Sequence, residues 1–194
     1  MRLFAGVLFL VITCLSIDAS AQAMRVRGTI TGLDGNVVAV KTRDGKDVKL
    51  TLADNVTVVT AKAIKLEELK AGDFVGATTR ARPDGTHVAL EVHSLGPTTK
   101  PGQLPWDLEP NTTMTNGYIG SVGAAGGQEL VLDYKAGSQK IVVPANVPVI
   151  TFVNGTRADL KPGEYIFAVA QTGGDGTMTV QRVSVSKDGV RPPQ

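Results

Sequence analysis

The chain has 194 residues, 42% of them hydrophobic, which allows one domain of ordinary size or two small ones, each with a core. Lys plus Arg is 20 and Asp plus Glu is 18, for a net charge of +2, and the signs alternate along the chain, as in KTRDGKDVK. Aromatic residues are only 5%, so the basic stripe and stacking rings of a nucleic-acid binder are missing and no nucleic-acid partner is expected.

The first predicted element is a leader. Arg2 opens a short positive region, Leu3 to Leu15 form an apolar stretch, and Ala21-Gln22-Ala23 fits a small-x-small cleavage pattern. Residues 1–23 are expected to be a secretory signal peptide, with a mature chain beginning at Met24 in the periplasm or outside the cell. The apolar stretch is shorter than the roughly 20 residues of a membrane span, so no stable span is expected after cleavage. Cys14 raises a lipoprotein alternative, which Thr13 directly before it fits poorly. Cleavage at Ala23 removes the only cysteine, leaving a protein without disulfides, thiol chemistry or thiolate metal sites.

From Met24 onward the chain reads as β. Strands are expected near residues 25–33, 37–42, 47–52, 56–60, 73–82 and 86–94. In DVKLTL, Val48, Leu50 and Leu52 share one face, opposite Asp47, Lys49 and Thr51. Val88, Leu90 and Val92 alternate in the same way with His87, Ala89, Glu91 and His93, which predicts both histidines on an outer face. DGN, RDGK and RPDGT supply the positive φ of tight turns. AIKLEELKAGD spaces Ile64, Leu66 and Leu69 as a helix would before Gly72, which predicts one or two helical turns closed by that glycine. Leu69 is expected to bury beneath a barrel, Gly72 to turn left-handed, and Phe74 to point inward.

Residues 95–116, LGPTTKPGQLPWDLEPNTTMTN, carry four prolines and the only tryptophan. Leu104, Trp106 and Leu108 alternate there, predicting an ordered connector wedged between two barrels. Beyond it the pattern returns. RGTI at 27–30 faces NGYI at 116–119, DNVTVVT at 54–60 faces ANVPVIT at 145–151, LKAGDF at 69–74 faces LKPGEY at 160–165, and DGT at 84–86 faces DGT at 175–177. The offset is 89 at the first pair (116 − 27) and 91 at the third (160 − 69). Matches in one order point to internal duplication. The expected fold is all-β: two tandem small barrels of the OB or SH3 kind, about six strands and one short helix each. They take residues 24–95 and 116–188, with the connector at 96–115 and a tail at 189–194.

The runs RGTITGLDGNVVAVKTRDGKDVKLTL, LKAGDFV and RPDGTHVALEV resemble a family of exported bacterial domains of unknown function with a small β-barrel form. PWDL and TMTNGYIG resemble a two-copy subgroup of it. The resemblance covers nearly all of the mature chain and brings no catalytic residues. Some relatives carry the label of metal transporter permease; a permease needs several apolar spans, and none follows the leader.

Chemistry-bearing patterns are sparse. His87 and His93 lie six residues apart on one strand, roughly 20 Å, too far to share an ion. Glu91 and His93 lack a third ligand, so neither a metal nor a cofactor is expected. There is no G-x-S-x-G elbow, and GSVGAAGG at 120–127 lacks the lysine and helix of a phosphate loop and reads as a hairpin turn. The chain is not expected to be an enzyme. Trp106 and Tyr118 are the candidate anchors for a partner, and Arg80 and Arg82, on one face with Thr78, the candidate anion contacts. The expected role is a non-catalytic binding or assembly protein of the bacterial envelope, its partner an envelope protein or a small ligand. A small-molecule or metal-ion binder accessory to a transporter is the alternative. An enzyme site assembled from both barrels is a third reading.

Overall fold

A strand with one buried face must find a hydrogen-bonding neighbour on each edge or leave those edges open. In the computed structural model, which describes residues 22–96, 98–123 and 128–193, ten of twelve strands solve this by closing into two rings. Residues 1–21 of the expected signal peptide and residues 124–127 of the expected GSVGAAGG hairpin turn lie outside the described residues. The strands are β1 (Gln22–Asp34), β2 (Val37–Thr42), β3 (Asp47–Ala63), β4 (Phe74–Ala81), β5 (His87–Ser94) and β6 (Gly102–Trp106). Then come β7 (Thr112–Val122), β8 (Glu129–Tyr134), β9 (Gly137–Val142), β10 (Val149–Asn154), β11 (Tyr165–Thr172) and β12 (Met178–Val185). The protein is all-β.

The first ring runs β1–β2–β3–β12–β11 and back to β1. The second runs β4–β5–β9–β8–β7 and back to β4, closed by a short parallel pairing of His87 and Val88 with Ile141 and Val142. Each ring has its own core: Ile30, Leu50, Leu52 and Ile166 fill the first, and Val75, Leu130, Leu132 and Ile141 the second.

The halves read from the sequence, 24–95 and 116–188, do not each close a ring. Each ring takes three strands from one half and two from the other. The reason is the length of β3. Its 17 residues merge the expected strands at 47–52 and 56–60. They pair with β12 of the first ring as far as Thr60 and with β10 over residues 59–63, and from that end the 3₁₀ turn at Leu66–Glu68 delivers the chain to β4 on the second ring. The second half makes the same passage through β9, the Pro144–Pro148 loop and β10.

Pairings between the halves recur at equivalent positions. Val183 pairs with Val58 and Val149 with Val92, and both 183 − 92 and 149 − 58 equal 91. Where β10 meets the end of β3, Ala61 pairs with Phe152, which is again 91 residues on. An antiparallel pair centred on its own counterpart is the mark of a local twofold arrangement.

The repeated hexapeptide stitches this exchange. Gly72 donates its amide to the Ile119 carbonyl, and Gly163 donates to that of Ile30, 2.8 and 2.9 Å away. Their φ angles are +88° and +94°, the left-handed turn a side chain resists. Leu69 and Leu160 are buried, in the second and first ring respectively. The expected helix is only a 3₁₀ turn at Leu66–Glu68, matched by one at Arg157–Asp159. Ile64 and Gly72 both bond into the sheet, which leaves no length for a longer helix. Phe74 does not point inward. Val75 takes the core position, and Phe74 stacks outside on Tyr118, ring centres 4.8 Å apart.

The histidine strand also departs from its expected face. A bulge at Leu90, between the Thr78–Glu91 and Thr79–Ala89 pairs, breaks the alternation. Ala89 and Val92 enter the core, while Glu91 and His93 turn into the seam between the rings and are buried there, not solvated.

Candidate functional site

The outward faces of the two rings meet across a cleft of about 460 Å³. β1, β11 and β12 give the first wall Arg25, Phe167 and Arg182. β5 and β7 give the second wall His93, Met114 and Asn116, and Trp106 of β6 and Phe152 of β10 close the ends. The walls hold matched positions with different residues: Phe167 answers Gly76 at an offset of 91, and Met114 answers Arg25 at 89. The cleft is therefore two-sided in geometry and one-sided in charge.

Trp106 is placed by a latch. β6 pairs with β7 on the second ring, so the connector is fixed on that side. On the other side Arg27 of β1, only 3% exposed, forks onto both Asp107 carboxylate oxygens at 3.1 and 2.9 Å. Arg43 donates to the Asp107 carbonyl at 2.6 Å. The Arg25 and Arg27 guanidinium groups lie 4.2 and 5.5 Å from the Trp106 ring centre. Burial works against ionised Asp107, but the Arg27 hydrogen bonds and the charges of Arg27 and Arg25 prevail and hold it below the ordinary carboxylate range. The tryptophan in the seam is what the alternation of Leu104, Trp106 and Leu108 predicts.

Behind the second wall two polar atoms, His93 Nδ1 and Asn116 Oδ1, have no hydrogen-bond partner among the described residues. Gly76 makes room for both. A Cβ there would stand 2.9 Å from His93 Nε2 and 3.0 Å from Asn116 Oδ1. Burial lowers His93 to about 4, so the imidazole is neutral at pH 7. The unfolded chain, with an ordinary histidine near 6.5, then binds more protons than the native state on the way down. Stability is expected to fall as pH drops from 6.5 to about 4 and to level off below, as far as this group is concerned. Urea midpoints across that window check it. His93→Gln should flatten that part of the profile, and an unchanged slope would refute the assignment.

Of the four residues singled out by sequence, only Trp106 reaches the cleft. Tyr118 lies outside, 51% exposed on Phe74. Arg80 is engaged with Glu109 and Arg82 sits at the exposed end of the β4–β5 hairpin, so they form no joint anion site in the cleft. Arg25, Arg182, Phe152 and Phe167 were missed. The only signal for them is period-two alternation, which marks them as outward on their strands. A larger hollow of about 630 Å³ lies under the C-terminal tail, but its carboxylate, Glu91, already accepts from Thr78 Oγ1 at 2.8 Å. Among the described residues no three metal-ligating side chains converge, and no helix is long and apolar enough to cross a membrane. Compared with protein-family models, curated proteins and solved structures, the chain matches none.

Proposed function

We propose that the protein is a non-catalytic, exported binding component of the bacterial cell envelope, and that it holds a small organic molecule in the cleft between its rings. One observation carries this reading: the second wall keeps two buried polar atoms, His93 Nδ1 and Asn116 Oδ1, without partners beside an aromatic-lined hollow. Each such atom costs roughly 1–3 kcal/mol. Buried polar atoms without a protein partner call for a reason, such as an ordered water, an ion or a ligand. Export rests on Arg2, the apolar stretch after it and Ala21-Gln22-Ala23. The halves are copies of one ancestral unit that paired by exchanging strands; the matched pairings at offset 91 support this. Duplication made the two walls free to diverge, which a dimer of identical chains cannot do.

Amide NMR spectra with a library of small organic fragments test the cleft. Shifts are expected to gather at His93, Asn116, Arg182 and the Trp106 indole. A second reading, docking of an envelope protein, rests on the Phe74–Tyr118 pair, whose tyrosine is 51% exposed. Fragments gathering there, with none in the cleft, would favour it.

A further inference from the structure

We propose that the cleft selects organic anions with a flat apolar body, taking the carboxylate on Arg182 and the body between Trp106, Phe152 and Phe167. This rests on the cleft being the binding site and names the chemistry it prefers.

Charge is the first argument. Arg25 and Arg182 line the same wall, from β1 and β12, and among the described residues no Asp or Glu lines the cleft. Asp107 accepts two hydrogen bonds from Arg27 and is ion-paired with Arg25 at 3.8 Å, so the Arg25 charge is already met. Arg182 makes no ion pair among the described residues; its guanidinium rests 5.8 Å from the centre of the Phe152 ring. An arginine that rests over an aromatic ring with no ion-pair partner has guanidinium donors to offer a planar, bidentate acceptor. A carboxylate has that shape.

The rest of the wall argues against a bare inorganic anion. Trp106, Phe152 and Phe167 offer ring faces, which reward a flat apolar body by offset stacking. His93 is neutral at pH 7 and adds no charge on the opposite side. The asymmetry of the walls sets the orientation: acid group toward β12, far end toward β5 and β7.

Three probes of one shape separate charge from fit: 2-naphthoate, its neutral 2-naphthamide, and the cationic 2-naphthylmethylamine, titrated calorimetrically into the full mature protein at pH 7 and low salt. Naphthoate is expected to bind at least about tenfold tighter than the amide, the amine not at all, and added salt to narrow the gap. Arg182→Gln should bring naphthoate down to the affinity of the amide and leave the amide unchanged, while Arg80→Gln changes neither. Arg182 is exposed, so the variant should fold, and a melt verifies it. Equal binding of acid and amide would overturn anion selection and leave the cleft as a neutral apolar site. If none of the three binds while fragments still shift His93 and Asn116, the ligand class is wrong and the cleft stands. If fragments also miss the cleft, both proposals fall.

Discussion

Asp107→Ala is expected to cost about 3 kcal/mol of stability, the low end for stripping one partner from a buried ion pair. For a protein of this size that lowers the melting temperature by roughly 6–12 °C. The low end applies because the pair is lopsided: the Asp107 side chain is 47% exposed and that of Arg27 only 3%. Removing the carboxylate leaves the arginine charged, enclosed, and without the acceptor for two of its donors. Its Nε already lacks a partner, so nothing nearby takes up the loss. Asp107→Asn keeps an acceptor but not the charge and should fall between. The carboxylate titrates below its ordinary value of 3.8. Its contribution is therefore present above that pH and lost as pH falls through the lowered value. The acid limb of the parent below pH 4 should thus be shallower in Asp107→Ala. This window lies beneath that of His93, so the two groups separate in one titration. A melt within about 1 kcal/mol of the parent would show that Arg27 reaches water another way and that the latch is not what seats Trp106.

Gly28→Ala is expected to cost 3 kcal/mol or more, the upper range for forcing extra atoms into a packed site. A Cβ at Gly28 would stand 2.2 Å from the Lys41 carbonyl oxygen and 2.7 Å from Thr42 Cα. Both belong to the β2 backbone and cannot rotate aside. Gly28 is also held by β11 through Ile166, so β1 cannot back away without opening the ring. Gly32→Ala on the same strand is the control, because nothing lies within 4 Å of its Cβ. It should stay within about 1 kcal/mol of the parent. Gly117, the matched glycine of β7, should behave like Gly28 but less severely, since its Cβ would meet the Asp133 carbonyl oxygen at 2.8 Å. Urea titrations of the three variants decide the matter, and equal losses at Gly28 and Gly32 would mean that β1 and β2 can relax apart.

The sequence alone determined local matters. It placed the strands within a few residues, and it put Leu50 and Leu52 in a core through their alternation with charged neighbours. It located the left-handed turns at Gly72 and Gly163 because few residues besides glycine tolerate them. It found the matched stretches in the two halves, and it marked Trp106 as ordered because prolines and alternating apolar residues surround it. These are properties of one strand or one turn. Alternation says which face of a strand is buried but not which strand lies alongside. Only the tertiary structure decided that β4 and β5 close on β7 and β9 rather than on β1 and β3. The continuation of β3 past its register shift between Leu52 and Thr57 settles this, and nothing in its residues announces it. The bulge at Leu90 was hidden for the same reason: an inserted residue changes the face only when a partner strand sets the register. The cleft depended most on the fold. Its two arginines lie 157 positions apart, 182 − 25, on strands of different halves. Each reads in isolation as an ordinary outward residue. Arg80 and Arg82 stand out in the sequence because they lie two positions apart, whereas Arg25 and Arg182 share a wall because the halves exchange strands and set β12 beside β3 and β11.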